Sequence, residues 1–204
     1  MIHCRIKTTG VHEFDFHQRL SVASRKYKSV HNADKVDVIW KLVDVGGQKS
    51  ERRKWLSHFS DIDSSLYVIN LCGYQSVMYE DTNKLILLDA MDLLKQTYKS
   101  SSVLNNFPLT IIFNKVSMFH ERFSAVNFLT CFPECPEPLA TLTSKYGCEY
   151  IIKEVLKLSQ YNTARVKYVT MNAINTDEVM RGMRLVQDNT FVDREADFKE
   201  VLKK

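Results

Sequence analysis

The chain has 204 residues, 45% hydrophobic and 25% charged, enough for one compact domain with a core, which excludes disorder as the overall state. Its net charge of +4 is mild, and the Lys and Arg residues are spread over the whole length, so nucleic acid is not the expected partner. The six glycines (Gly10, Gly46, Gly47, Gly73, Gly147 and Gly182) fall below the roughly 7% of an average protein. No two are five positions apart, so neither G-x-x-x-x-G-K-[ST] nor G-x-G-x-x-G occurs anywhere in these residues.

The five cysteines (Cys4, Cys72, Cys131, Cys135 and Cys148) are odd in number and irregularly spaced, which does not suit a disulfide framework. Cys131 and Cys135 have no second pair at zinc-finger spacing, so reduced thiols are expected. No apolar run approaches the length of a membrane span, and Met1-Ile2-His3-Cys4-Arg5 lacks the apolar core of a secretion signal. These features predict a soluble intracellular chain. Cys4 is a candidate for acylation, although one lipid anchors only marginally.

In chain order, residues 11–16 alternate apolar and polar at period two and predict a half-buried strand, and residues 37–45 give a second strand signal. The polar, basic stretch 17–36 between them predicts a long hairpin loop. Short β-branched apolar runs at 65–72, 107–113 and 166–171 predict strands buried on both faces. Helical periodicity appears at 81–99, 146–158 and 177–190. This alternation predicts an α/β fold with a mostly parallel sheet. Ligands of such sheets bind at the carboxyl ends of the strands, so the residues just after each strand are the candidate functional ones.

After the strand ending at Val45 comes Gly46-Gly47-Gln48-Lys49-Ser50-Glu51-Arg52-Arg53-Lys54-Trp55. Asp44 at the strand end can organise a magnesium ion and its waters. Gly46 and Gly47 let the backbone approach a terminal phosphate with an N–H, and Gln48 can orient a water for in-line attack. Asn114-Lys115-Val116-Ser117 follows the strand ending at Phe113, Met171-Asn172-Ala173-Ile174 follows the last strand, and Arg5-Ile6-Lys7-Thr8-Thr9-Gly10 stands at the front. Four such segments in this order make a specific pattern.

With these residues the chain resembles the alpha subunits of heterotrimeric G proteins, a branch of the Ras-like GTPases, from Arg5 to about Val186. Arg5 to Gly10 is similar to the family's first switch, Asp44 to Trp55 to its second switch, and Leu129-Thr130-Cys131-Phe132-Pro133-Glu134 to a further family segment. Glu80-Asp81 and Asn83-Lys84 are similar to the start of the family's helix after its fourth strand. The resemblance implies a Ras-like GTPase domain, a GTP/GDP-switched transducer with magnesium as cofactor, and hydrolysis by Arg5 and Gln48. It assigns phosphate contacts to Arg5, Lys7, Thr8, Gly46 and Gly47, and magnesium to Thr8 and, through water, Asp44. Asn114, Lys115 and Ser117 would frame the base, with the Ala173 N–H meeting its carbonyl oxygen. Arg52, Lys54, Trp55 and Phe59 would meet a beta-gamma dimer or an effector, with a seven-helix receptor as a further partner and the inner face of the plasma membrane as the setting. For Trp55 and Phe59, core packing is the other reading.

Three departures modify these expectations. The family's phosphate loop lies on a first strand and helix upstream of the first switch, before an all-helical insert; Arg5 stands just after Met1, which predicts a GTPase domain lacking that strand and loop. The missing strand would leave two unpaired edges, on 37–45 and on 65–72. Ser117 stands where the family has Asp, and a hydroxyl cannot accept both guanine N–H groups with charge assistance, so preference for guanine over adenine is expected to fall. Met171 replaces a hydroxyl residue in the same pocket. The charged tail 193–204 does not suit receptor coupling, and 17–36 is longer than the family's tight hairpin. A non-catalytic module that binds beta-gamma or an effector through the second switch is therefore the alternative.

Overall fold

The computed structural model describes residues 10–21, 35–55, 62–100, 107–159 and 166–191. The chain divides into two compact units, Met1–Asp61 with Ala196–Lys204, and Ile62–Glu195.

The first unit is built on an antiparallel hairpin of β1 (Val11–Ser21) and β2 (Lys35–Val45), in register from Val11 opposite Val45 to Ser21 opposite Lys35. Period-two alternation puts Phe14, Phe16, Trp40 and Leu42 on one face, where the Phe16 and Trp40 rings stack at 6.1 Å. The other face carries the ion pairs Arg19–Asp37 at 2.8 Å and Lys41–Glu13 at 3.3 Å. Both pairs are exposed, so they select register more than they add stability. The stretch 17–36, expected as a loop, is shorter than that: residues 17–21 and 35–36 continue the ladder. Cross-strand partners supply the reason, since Trp40 Nε1 donates to Gln18 Oε1 at 3.0 Å and Arg19 meets Asp37. The remainder of that stretch, 22–34, and the tail 192–204 lie outside the described residues.

The second unit is a parallel sheet in the order β3-β4-β5, with β3 (Ser65–Asn70), β4 (Leu109–Asn114) and β5 (Val166–Met171). Leu109 to Phe113 are all buried, as expected of a central strand covered on both faces, but the same expectation fails for β3 and β5, which flank it and leave Val68, Lys167, Tyr168 and Thr170 exposed. The helix α1 (Ile86–Ser100) covers one face, where the Tyr67 hydroxyl donates to the Ala90 carbonyl at 2.8 Å. The helix α5 (Thr176–Phe191) covers the opposite face, where buried Asn189 donates to the Leu109 carbonyl and to Thr110 Oγ1, each at 3.0 Å. Between β4 and β5 run α2 (Val116–Glu121), α3 (Ala125–Cys131) and α4 (Ser144–Leu158). The result is the expected mixed α/β fold with a parallel sheet. β2 and β3 belong to different sheets, so among the described residues no strand joins them.

Local chemistry sets the boundaries. After β3, Asn70 accepts from the Cys72 N–H at 3.1 Å and caps a 3-10 helix, Leu71–Gln75, where a continuing strand was expected. The helix expected from residue 81 begins instead at Ile86. Asp81 accepts from the Asn83 N–H at 3.3 Å, and Val77 bridges Leu85, which holds 81–85 in a turn. Two short helices, α2 and α3, escaped periodicity because six or seven residues show too little of it. Ser124 and Thr143 do carry the N-cap signal for α3 and α4, accepting from Asn127 N at 3.3 Å and Tyr146 N at 3.2 Å. Among the described residues no helix is long and apolar enough to cross a membrane.

Two consequences can be measured. A Cβ on Gly73 would stand 2.9 Å from the backbone nitrogen of Leu87, an atom that cannot step aside. Gly73→Ala is expected to cost about 1–3 kcal/mol in denaturant unfolding. Burial pushes the Tyr98 hydroxyl up to about 12, against a smaller opposing effect of its hydrogen bond with Ser65. A folded-state value above the unfolded one stabilises below the unfolded pKa and is lost as pH rises through the folded pKa. Unfolding between about pH 10 and pH 12 is expected to coincide with phenolate absorbance, and Tyr98→Phe is expected to blunt that loss.

Candidate functional site

In the second unit, the carboxyl ends of β4 and β5 lie side by side, with Asn114 in register with Met171. This is where a parallel sheet presents its loops to a ligand. Asn114 Oδ1 accepts two backbone N–H groups, from Lys115 at 2.7 Å and from Ala173 at 2.9 Å. Lys115 has φ 67 and ψ 35, a left-handed conformation that turns the chain sharply into α2. A second bridge runs the other way: Asn172 Oδ1 accepts from Ser117 N at 2.9 Å, and Asn172 Nδ2 donates to Ser117 Oγ at 2.9 Å. Glu178, in the first turn of α5, anchors Asn172 by accepting from its backbone N at 2.6 Å and from Nδ2 at 3.1 and 3.2 Å. The four sequence candidates Asn114, Lys115, Ser117 and Ala173 are thus brought together. Asn172 and Glu178 were missed as site residues, although an Asn directly after a strand, six residues before a first-turn carboxylate, was a readable signal.

In the first unit, β2 delivers Asp44 to the strand end, and the chain then folds back on itself. Gly46 is buried, and its N–H donates to the Gly10 carbonyl at 3.2 Å. The Gly10 N–H donates in turn to Glu51 Oε2 at 2.8 Å, with Gly10 at φ +80, where a side chain would be strained. Lys54 Nζ lies 2.6 Å from the same Glu51 oxygen. Arg52 Nε donates to the Gly47 carbonyl at 3.2 Å, and Trp55 Nε1 donates to the Gly46 carbonyl at 2.9 Å. The Gln48 carbonyl accepts from the Glu51 and Arg52 N–H groups at 2.9 and 3.2 Å, which fixes the turn on which the Gln48 side chain is carried. Gly10, Asp44, Gly46, Gly47, Gln48, Arg52, Lys54 and Trp55 therefore form one compact segment. Glu51, which ties it to Gly10, was not singled out from sequence.

Arg5, Lys7, Thr8 and Phe59 lie outside the described residues. Among the described residues no group of three or more His, Cys, Asp or Glu side chains is placed to hold a metal. Asp44 alone does not make a magnesium site. The described cysteines are unpaired, and burial pushes the Cys131 thiol up to about 12, so it is a neutral packing group rather than a nucleophile.

A family model described as G-protein alpha subunit matches residues 1–190. The guanine nucleotide-binding protein alpha-2 subunit of Dictyostelium discoideum is 32% identical over 134 residues, covering 66% of this chain and 32% of that relative. The alpha-1 subunit of Schizosaccharomyces pombe is 26% identical over 200 residues, 92% of this chain and 45% of the relative. The alpha-4 subunit of Dictyostelium discoideum is 26% identical over 188 residues, again 92% of this chain, and 48% of the relative. The chain thus spans less than half the length of these curated relatives. The parallel sheet, the loops clasped at its carboxyl ends and the match across residues 1–190 lead to one conclusion: the chain belongs to the G-protein alpha subunit family.

Proposed function

We propose that the chain acts as part of a guanine nucleotide-binding alpha subunit, a transducer that changes partners according to whether GTP or GDP is bound and so relays a signal from a seven-helix receptor. The observation that carries this reading is the clasped corner at the ends of β4 and β5, where Asn114 and Asn172 hold two loops 55 to 59 residues apart in sequence. Asn114 Nδ2 remains available to a base edge, and the Lys115 side chain to a base face. In hydrolysis, Gln48 orients the attacking water and the Arg5 guanidinium neutralises charge on the transferring phosphate, with Lys7, Thr8, Gly46 and Gly47 as further phosphate contacts. Magnesium bound with the nucleotide would neutralise phosphate charge; the described side chains do not form a site for it, and no step is routed through it. Arg52, Lys54, Trp55 and Phe59 are the residues that would meet a beta-gamma dimer or effector.

A second reading is favoured by a specific observation. Ser117 brings no charge to the base corner, and the Ala173 N–H is spent on Asn114. On that reading the chain is a non-catalytic module that binds beta-gamma or an effector through the second switch. A fluorescent GTP analogue titrated into the purified chain with magnesium separates the two. Saturable micromolar binding, with slow phosphate release abolished in Gln48→Leu, is the result expected of the first. No binding, together with capture of a beta-gamma dimer, contradicts it in favour of the second.

A further inference from the structure

We infer that the Ser117–Asn172–Glu178 relay makes the base corner permissive for purines, and that Asn172 and Glu178 are positioning residues that set this permissiveness through Ser117. The inference rests on the proposal that this corner receives a base. Asn172 holds Ser117 from two atoms: Oδ1 accepts from Ser117 N, and the two Nδ2 hydrogens go to Ser117 Oγ and to the Glu178 carboxylate. The amide orientation is fixed by chemistry, because a carboxylate can only accept. Asn114 Oδ1 is likewise occupied by two backbone N–H groups.

Ser117 Oγ, exposed and accepting from Asn172, keeps one lone pair and its own hydrogen. It can therefore accept from a ring N–H, as guanine presents, or donate to a ring nitrogen, as adenine presents. Neither contact is charge-assisted, so neither base gains a large advantage. Glu178 adds a second effect. Its carboxylate is joined to Ser117 through a single amide, so a new carboxylate at position 117 would face an existing like charge across that bridge.

The test is displacement of a fluorescent nucleotide from the full chain by GDP and by ADP, with circular dichroism confirming that each variant is folded. An advantage of GDP over ADP below about fivefold is expected, since no charge-assisted bond separates them. A larger advantage overturns the inference while leaving the base-binding proposal intact. Absence of displacement by either nucleotide, with no analogue bound, overturns both. Ser117→Asp alone is expected to raise the GDP advantage by less than about threefold, and Ser117→Asp with Glu178→Gln by about tenfold or more. A tenfold gain from Ser117→Asp alone removes Glu178 from the mechanism.

Discussion

Phe128→Ala is expected to lower the unfolding free energy of the second unit by about 3–5 kcal/mol, a larger loss than Gly73→Ala or Asn114→Ala produces. Phe128 is fully buried. It stands at the centre of a ring cluster, with centroids 5.8 Å from Tyr74, 5.6 Å from Phe123, 5.1 Å from Phe132 and 5.9 Å from Tyr150. Phe119 extends the cluster at 5.4 Å from Tyr74. Truncation loses both the transfer energy of the ring and its edge-to-face contacts, and the cavity is walled by other rigid rings that cannot collapse into it. The Tyr74 hydroxyl also accepts from Ser124 N at 2.9 Å, which couples the cluster to the N-cap of α3. Urea unfolding followed by far-UV circular dichroism measures the loss. A loss below about 1 kcal/mol would show that this cluster is not the core of the unit.

Asn114→Ala is expected to have two separable effects. It strips the acceptor from the Lys115 and Ala173 N–H groups, costing about 1–3 kcal/mol of stability. It also removes Nδ2 from the base corner, lowering nucleotide affinity by about tenfold or more. Asn114→Asp separates these effects. A carboxylate still accepts both backbone N–H groups, so stability is expected to stay near that of the parent, but it offers no donor, so affinity still falls. Thermal melts and the fluorescent-nucleotide titration, run on both variants, check the pair. Equal affinity in Asn114→Asp and the parent would place the base contact elsewhere.

The strand positions were legible because short β-branched apolar runs mark strands, and 107–113 and 166–171 differ from the observed strands by at most two residues at an end, although only β4 is buried throughout. The chain-order pattern Asp44-x-Gly46-Gly47-Gln48, Asn114-Lys115 and Ala173 was legible for a different reason: ligands are met at strand ends, and these residues follow strands. What the sequence hid was long-range polar pairing. Nothing local announces that Gln18 meets Trp40, so the strand continuing through 17–21 read as loop. Likewise the Ser117–Asn172 bridge joins residues 55 apart, and it becomes visible only when β4 and β5 are placed side by side. The onset of α1 was obscured by competition: Asp81 to Leu85 have helical spacing, yet an Asp side chain bonding the backbone two residues on stabilises a turn.

The most direct test of the central claim, that the clasped ends of β4 and β5 receive the base, is backbone amide NMR of the labelled chain titrated with magnesium GDP. Saturable shifts concentrated at residues 114–117 and 171–175, and reduced in Asn114→Asp, are the predicted result. Absence of shifts in both segments, or shifts confined to other residues, would contradict it.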